Sequence, residues 1–424
     1  MKLFASLLLL SVTSLAQTSP RPITGDWEGT ATSHGQQVPV HLRLSGSPSA
    51  LTAALVNGPE SSPASSATFS GDHLLVTFNY YAKTLDATLS PDGKLTGSFG
   101  TASTRYPLTL AAGHASAGKS SVPPDIHGDW EVLVKSSKGE AAWQLIVAQD
   151  HRNVKAVIQR IDGDTGSLFG TWNSDPSAPN TYRISHFTAA GPALYSLAPQ
   201  PDGTLLVSNL LRADQKTDTQ QDLPARRPAD ARAANLKAPT DPTQQTTMKD
   251  PNARFAFSAP DLNGKTVSNT DPQFDGKVVI VSIGGSWCPN CHDEAPFLES
   301  LYKQFHSRGL EIVNLSFEEE DQLKDPTRLR AFIARYHLDY TVLLAGTTDQ
   351  LNEKITQADN LNCWPTSFII GRDGRVRQIH AGFAGPANPA AHEVLVKELT
   401  AFIGELVEQP VPAQSAMLTH TDDQ

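Results

Sequence analysis

The sequence contains few cysteines: there are three in 424 residues, and none precedes Cys288. Proteins held together by a disulfide framework carry many cysteines in even number, so that class is excluded. The long segment before Cys288 must therefore be stabilised by apolar cores alone. A zinc site needs further Cys or His pairs at ligand spacing, and only the scattered His292, His380 and Cys363 accompany the first two cysteines, so we expect no metal and no cofactor.

Basic charge and long apolar segments are also scarce. The chain has 34 Lys and Arg residues against 44 Asp and Glu residues, which gives a net charge of -10. A nucleic-acid-binding protein needs a basic face, which this composition does not favour. A membrane helix needs about 20 consecutive apolar residues, and no segment beyond the N-terminus has them. We therefore expect no nucleic-acid partner and no membrane span.

The N-terminus has the pattern of a secretory signal peptide over residues 1–16. Lys2 supplies the positive start, residues 3–15 are apolar or small, and Ser14-Leu15-Ala16 is a small-x-small cleavage site. This pattern predicts cleavage after Ala16 and a periplasmic or secreted protein. The alternative is an uncleaved hydrophobic N-terminus.

A chain of this length predicts several domains, and its first half contains a repeat. Residues 23–28 (ITGDWE) recur as residues 126–131 (IHGDWE), and apolar residues alternate with polar ones after each copy. Period-two alternation with frequent turn residues predicts antiparallel strands. We predict two β-rich modules, residues 17–115 and 120–212, each a barrel or sandwich and lipocalin-like at most, or the two halves of one barrel. The repeated tryptophans are expected in cores rather than at a ligand.

The remaining chain divides into polar segments and one α/β domain. Residues 213–250 and 409–424 have almost no large apolar residues, which predicts a disordered linker and a disordered tail. Between them, residues 251–408 alternate strand and helix patterns. A buried strand is predicted at residues 277–283, followed by a helix that starts at Pro289. The overall fold class is therefore multidomain, with β-rich modules before an α/β domain.

The most specific chemical pattern is Cys288-Pro289-Asn290-Cys291, a CxxC that follows a strand and opens a helix. A thiolate is the reactive form of cysteine, and the unpaired amides at a helix N-terminus stabilise an anion. This predicts a redox-active pair in which Cys288 attacks a partner disulfide and Cys291 resolves the mixed disulfide. The alternatives are half of a zinc site and a purely structural disulfide, although so short a loop constrains little of the unfolded chain.

The C-terminal domain resembles the TlpA/ResA-type thiol-disulfide oxidoreductases, extracytoplasmic thioredoxin relatives within the redoxin superfamily, over residues 255–406. The residues that carry the resemblance are Trp287-Cys288-x-x-Cys291-x-x-Glu294-x-Pro296, Pro365-Thr366 and Gly371-Arg372-Asp373-Gly374. It implies a thioredoxin-like fold in which Pro365 is cis and lies against the CxxC. It also implies that Glu294 tunes proton transfer at Cys291, the alternative being a solvated helix acid.

The same resemblance implies where a substrate binds and what it is. Strand addition beside Pro365 would form a groove with Trp287, Trp364 and Thr366. The implied partners are protein thiols or disulfides and an upstream electron donor. The sequence departs from thioredoxin at Ser282, where a buried Asp is usual, so that proton handling is expected from Glu294 or water.

These observations predict an extracytoplasmic thiol-disulfide oxidoreductase, in the direction of a protein disulfide reductase. A peroxiredoxin-like thiol peroxidase is the first alternative, but Val281 and Gly285 occupy the positions where its motif has Pro and Thr. The second alternative is a binding protein whose β-modules carry the main function. Two further residues each have two interpretations. Cys363 is a core residue or a third redox thiol, and His292 is a surface residue or, when protonated, a positive charge that favours the thiolates.

Overall fold

The computed structural model describes residues 23–411 except 48, 114–121, 165, 174, 176 and 216–219. The predicted signal peptide at residues 1–16 and nearly all of the predicted tail at 409–424 lie outside the described residues. None of the helices in the described part has both the length and the apolar character needed to cross a membrane. Separate apolar cores lie in the first module, in the second module and on the two faces of the C-terminal sheet.

The first module is a nine-stranded antiparallel sheet that curls around one core without closing. Its strands run as a meander in the order β4-β3-β2-β1-β9-β8-β7-β6-β5, because the last strand returns to pair with the first. The strands β1 to β9 are Gly25–Ser33, Gln36–Ser47, Ala50–Asn57, Glu60–Pro63, Ser66–Ser70, His73–Phe78, Lys83–Leu89, Lys94–Gly100 and Arg105–Ala112. A short 3-10 turn, Asn79–Tyr81, joins β6 to β7.

The second module is a closed eight-stranded antiparallel barrel. Its strands β10 to β17 are Gly128–Leu133, Ala142–Asp150, Asn153–Gln159, Leu168–Trp172, Tyr182–Thr188, Gly191–Pro199, Leu205–Asn209 and Leu223–Arg226. The repeated tryptophans have the same environment in both modules. Trp27 Nε1 donates to Ile23 O (2.8 Å) and Trp130 Nε1 to Ile126 O (2.9 Å), both from buried positions. The predicted β-rich modules and the core role of these tryptophans are confirmed.

The disordered linker predicted over residues 213–250 is wrong for residues 220–250, which the structure describes as ordered. β17 lies in this segment and closes the barrel by pairing with both β10 and β16. The helix α1, Pro228–Ala233, follows it. Further on, Gln245 is buried and its Nε2 donates to Asn362 Oδ1 (2.9 Å). A polar segment becomes ordered here because two neighbouring strands supply its backbone hydrogen bonds, which composition does not reveal.

The C-terminal domain is built on a five-stranded mixed sheet in the order β23-β22-β21-β25-β26. The strands β21, β22 and β23 are parallel, and β25 and β26 run antiparallel beside β21. The strands β18 to β26 are Thr247–Met248, Ser258–Pro260, Thr266–Ser268, Val278–Gly284, Leu310–Glu318, Thr341–Thr347, Ala358–Asp359, Thr366–Ile370 and Val376–Ala381. The helices α2 to α6 are Pro289–Phe305, Glu320–Lys324, Thr327–Tyr336, Leu351–Lys354 and Pro389–Glu408. This is a thioredoxin-like sheet, as predicted.

Candidate active site

The two cysteines lie where β21 ends and α2 begins. Cys288 is the residue that caps α2, and its Sγ accepts a hydrogen bond from the Cys291 amide (3.2 Å). Pro289 occupies the first helical position, where the missing amide proton costs nothing. Both cysteines are free thiols and nearly buried, with exposed fractions of 3% and 4%. The sulfur of Cys288 therefore sits where the first-turn amides stabilise an anion, which suits an attacking thiolate.

Cys291 lies one turn into the helix, in a less polar environment. Burial raises the pKa of its thiol well above the usual value, and Cys288 and Glu294 raise it further. A thiol in this position needs a nearby base before it can attack a disulfide. The geometry thus places the Cys288 thiol at the end of α2 and the Cys291 thiol one turn further into the helix.

Glu294 is buried beside the cysteine pair and is not a solvated helix acid. Ser282 Oγ and Ser367 Oγ each donate to its carboxylate, both at 2.7 Å. These serines face each other across the pairing of β21 with β25. Burial raises the pKa of Glu294 to about 7, although the two hydrogen bonds oppose the shift. A carboxyl group with this pKa can both accept and return a proton near neutral pH.

Pro365 forms a cis peptide bond with Trp364, in agreement with the sequence prediction. Trp287 and Trp364 lie edge to face with ring centroids 5.4 Å apart, and both are partly exposed. Trp287 is held there because its Nε1 donates to Phe317 O (2.8 Å). The structure therefore brings an exposed aromatic pair to the CxxC motif.

Thr366 does not line this surface, and that part of the predicted groove is wrong. Its side chain is fully buried, and its hydroxyl donates to Cys363 O (2.9 Å). As the first residue of β25, Thr366 points into the domain, so that its role is to hold the turn that carries Pro365.

A buried ion pair that the sequence analysis missed anchors the loop before Cys288. Glu318, at the end of β22, accepts hydrogen bonds from the amide (2.7 Å) and hydroxyl (2.8 Å) of Ser286. Arg328 of α4 donates to Glu318 (2.6 Å) and to Ser286 Oγ (2.8 Å). No local pattern relates these three residues, because they come from three separate elements. Together they fix the backbone that leads into the CxxC.

His292 is buried, so the preferred interpretation as a surface residue is wrong. Its Nε2 donates to Ser286 O (2.9 Å), and its Nδ1 lies 3.0 Å from the Tyr336 hydroxyl. Burial lowers the pKa of His292 to about 3, with the charges of Arg335, Arg328 and Lys83 adding to the effect. A neutral imidazole does not lend positive charge to the thiolates. It is instead a packing surface for the first module.

The first module covers the start of α2 through its 3-10 turn. The Tyr81 ring stacks on His292 with centroids 4.2 Å apart, and Arg335 lies 3.9 Å from the centroid of the Tyr80 ring. Burial raises the pKa of Tyr81 well above its usual value, and the neighbouring charges that contribute include Cys288. The tyrosine therefore lies near Cys288, whose exposed fraction is 3%.

The second module contacts the other side of the motif through the turn that follows β12. Asp162 O accepts a hydrogen bond from the Phe383 amide (3.0 Å), and Gly163 forms a β-bridge with Phe383. Gly163 is required here: its φ is +131°, and an added Cβ would lie 2.3 Å from Phe383 O. Cys363 packs under this turn against Ile161 and Ala381, and burial raises its pKa. Its environment agrees with a core residue rather than a third redox thiol.

Acidic groups from all three units meet beside α2. Asp293 lies near Asp164 of the second module and Glu60 of the first. Its pKa is raised to about 8 by burial first and by these two charges second. Burial also raises the pKa of Asp164, whose carboxylate accepts hydrogen bonds from the amides of Gly166 and Asn388. The contact between the units therefore contains carboxyl groups that remain protonated above their ordinary range.

A strand that leads into a CxxC at a helix N-terminus, opposite a cis-proline, defines a thioredoxin-like redoxin domain. Residues 252–379 match the AhpC/TSA family model. "Thiol-disulfide oxidoreductase ResA" of Bacillus thuringiensis subsp. konkukian is 33% identical over 122 residues, which are 29% of this chain and 64% of the relative. "Thioredoxin-like protein YneN" of Bacillus subtilis is 28% identical over 143 residues, which are 33% of this chain and 78% of the relative.

One similar solved structure is the following. A thiol:disulfide interchange protein of the thioredoxin family from Chlorobium tepidum TLS is 26% identical and covers 36% of this chain and 99% of its own, with a TM-score of 0.28. The chain spans about 64% of the length of the ResA relative. The predicted resemblance of the C-terminal domain to ResA-type proteins is confirmed, and the two β-modules lie outside the family match.

Proposed function

We propose that the protein is an extracytoplasmic thiol-disulfide oxidoreductase that reduces disulfides of protein or peptide substrates through Cys288 and Cys291. The observation that carries this proposal is the position of Cys288 Sγ, which caps α2 and accepts the Cys291 amide hydrogen bond. The relatives named for this activity support it, and the N-terminal pattern of residues 1–16 supports the location. Cleavage after Ala16 is part of the same proposal.

The reaction is two successive exchanges. The Cys288 thiolate attacks one sulfur of the substrate disulfide, a mixed disulfide forms, and the other substrate sulfur leaves as a thiolate that takes a proton. Cys291 then loses its proton and attacks the sulfur of Cys288, which releases the second substrate thiol. The substrate gains two electrons and two protons, and the protein is left with a Cys288–Cys291 disulfide. A donor dithiol must reduce that disulfide before the next cycle.

Glu294 is the group proposed to take the Cys291 proton. The two residues are one helical turn apart on α2, and the carboxylate contributes to the raised pKa of the thiol. With a pKa of about 7, the carboxyl group can accept this proton and later release it to solvent or to the leaving thiolate. Ser282 and Ser367 orient its two oxygens.

The site does not favour a thiol peroxidase. Such an enzyme needs a hydroxyl near the attacking sulfur, and the corresponding position is Gly285, which packs closely against Phe317 O and the Trp287 ring. There is no room for a threonine side chain at that place. Peroxide consumption at the rate of free cysteine is the result expected.

The Cys291→Ser variant tests the exchange mechanism. It should accumulate mixed disulfides at Cys288, identified by non-reducing electrophoresis and mass spectrometry, because the resolving step is removed. Cys363→Ser is the matched control and should accumulate none. A Cys291→Ser protein that traps no substrate, with Cys288 no more reactive than free cysteine, would contradict the proposal. The reduction potential of the Cys288–Cys291 pair then tests the direction: a reductase requires a strongly negative value.

A further inference from the structure

A polar cavity of about 320 Å³ lies where the two β-modules meet the redox motif. Its walls come from all three units of the protein. The first module contributes His34, the second module contributes Arg160, His186 and Tyr195, and the CxxC motif contributes Pro289. Pro289 directly follows Cys288, so the cavity lies at the CxxC motif.

Arg160 gives the cavity a positive charge without a negative partner. Its guanidinium stacks on the Trp143 ring, 4.5 Å from the centroid, and its Nη2 donates to the Tyr195 hydroxyl. Its Nε is buried and has no hydrogen-bond partner. Among the described residues, no carboxylate pairs with Arg160, and no Asp or Glu lines the cavity. A buried guanidinium nitrogen without an acceptor costs free energy that a bound anion would recover.

Tyr195 adds a second unused donor. Its Oη accepts hydrogen bonds from Arg160 Nη2 and from Asn209 Nδ2 (3.2 Å for the latter). In the part of the chain that the structure describes, no acceptor receives the proton of this hydroxyl. Since two donors already point at Oη, its own O–H is left to serve a group inside the cavity.

His186 is the third polar group, and it is 93% buried, with an exposed fraction of 7%. Its Nδ1 has no hydrogen-bond partner. Burial lowers the pKa of His186 to about 4, and the charge of Arg160 contributes, so the ring is neutral near pH 7. A neutral imidazole can donate or accept one hydrogen bond without a charge penalty. It therefore fits the polar part of a ligand that is anchored by Arg160.

We propose that this cavity binds the carboxylate of a small disulfide substrate and thereby presents its disulfide to Cys288. Arg160 and Tyr195 hold the carboxylate, and His186 contacts a neighbouring polar group. The inference rests on the proposed exchange reaction. It narrows the substrate of that reaction to small peptide-like disulfides when the two β-modules and the redoxin domain are arranged as in this structure. In that arrangement Cys288 has an exposed fraction of only 3%, which favours a small disulfide over one on the surface of a folded protein.

The reaction at this site is the two-step exchange given above. In an amino-acid or peptide disulfide of the cystine type, the carboxylate and the sulfur are a few covalent bonds apart. Arg160 and Pro289 line the same cavity, so the proposal is that a carboxylate at Arg160 directs the disulfide toward Pro289 and its neighbour Cys288. The substrate leaves as two thiols, and the Cys288–Cys291 disulfide remains.

Binding is tested first, in a full-length chain that cannot react. Calorimetry with oxidised glutathione as the probe is carried out on the Cys288→Ser/Cys291→Ser protein. Replacing Arg160 by Gln in this background should weaken binding by at least about tenfold, the effect of losing one charge-assisted hydrogen bond. Tyr195→Phe should weaken it several-fold while keeping the packing of the ring. Arg227→Gln is the matched control, because Arg227 also stacks on a tryptophan of the barrel, Trp130, but lies outside the cavity.

Turnover is tested second, with both cysteines present. Arg160→Gln should raise the KM for oxidised glutathione far more than the KM for the uncharged bis(2-hydroxyethyl) disulfide, whereas the control Arg227→Gln should leave kcat/KM for both substrates within about twofold. Equal probe affinity in the Arg160→Gln, Tyr195→Phe and parent proteins, or no saturable binding at millimolar probe, would overturn the inference. If binding depends on Arg160 but neither disulfide is reduced, the proposed function is wrong while the anion site stands.

Discussion

Replacing Glu294 by Gln should make the protein gain stability relative to wild type as the pH rises from 4 to 8, while impairing its chemistry. The substitution keeps the size of the side chain and removes its titration. In the folded protein the carboxyl group is buried, hydrogen-bonded by Ser282 and Ser367, and has a pKa of about 7. In the unfolded chain its pKa is the ordinary 4.5. The stability of the wild-type protein must therefore depend on pH through this residue.

The sign and size follow from the two pKa values. Below pH 4.5 the carboxyl is protonated in both states, and Glu294 contributes no pH dependence. Between pH 4.5 and about 7 the unfolded chain ionises while the folded protein keeps its proton, so the free energy of unfolding falls as the pH rises. Above that range the loss is complete, at about 3 kcal/mol. Because Gln does not titrate, the stability of Glu294→Gln relative to wild type should rise by about 3 kcal/mol from pH 4 to pH 8.

Urea unfolding of the reduced proteins, repeated across this pH range, measures the difference. The matched control is Glu299→Gln, which makes the same substitution on the same helix at a buried carboxylate that accepts the Asp339 amide (2.9 Å) and contacts Lys303. The comparison separates the effect of replacing a buried carboxylate on α2 from the effect of replacing the acid held by Ser282 and Ser367. In turnover, Glu294→Gln should slow resolution of the mixed disulfide by roughly a hundredfold, the usual contribution of a general base. Parallel stability profiles for wild type and Glu294→Gln would refute the assignment of Glu294 as a buried, proton-carrying acid.

Three further predictions concern the contacts between the units. Tyr81→Ala removes the ring that stacks on His292, so it should cost about 3 kcal/mol of stability. It should also accelerate the labelling of Cys288 by iodoacetamide, measured by mass spectrometry. Unchanged labelling would mean that Tyr81 does not shield the thiol. Gly163→Val should separate the turn after β12 of the second module from Phe383. Cys363 lies under this turn, so faster labelling of Cys363 would report the separation. Gly203→Val, on an open turn, is the control. Asp293→Asn should gain thermal stability relative to wild type as the pH rises from 4 to about 8, and should gain no more above that pH, because the pKa of Asp293 in the folded protein is raised to about 8. A difference in thermal stability that does not change with pH would show that the Asp293 carboxyl is not protonated where the three units meet.

The features that the sequence predicted best are those encoded within a few adjacent residues. The CxxC after a strand, the position of Cys288 at the helix start and the cis Pro365 depend on short motifs. The repeated Gly-Asp-Trp-Glu segments and the alternation after each likewise predicted two β-modules, and in both modules the tryptophan Nε1 donates to a carbonyl four residues earlier. The identity of β17 as a barrel strand was missed, because its four residues gain order only from β10 and β16.

The surroundings of the site were harder to predict for the same reason. His292 was assigned to the surface because its helix position alone does not show that Tyr81, more than two hundred residues away, stacks on it. The Glu318–Arg328 pair joins a strand end to a separate helix, and no spacing rule connects them. Thr366 was placed in the groove because it follows Pro365, whereas the alternation of side chains along β25 turns it inward. Contacts between distant segments have no signature in a single sequence.

Two neighbouring acids on α2 divide the control of the site between the domain and its modules. Glu294 faces the sheet, and its surroundings, Ser282 and Ser367, belong to the redoxin domain itself. Asp293 faces the modules, and the charges that raise its pKa belong to Asp164 and Glu60. Movement of the modules would therefore change the environment of Asp293 and the exposure of Cys288 without altering the acid that serves Cys291. The modules thus shape the surroundings of Asp293 and Cys288, whereas the serines that hold Glu294 belong to the redoxin domain.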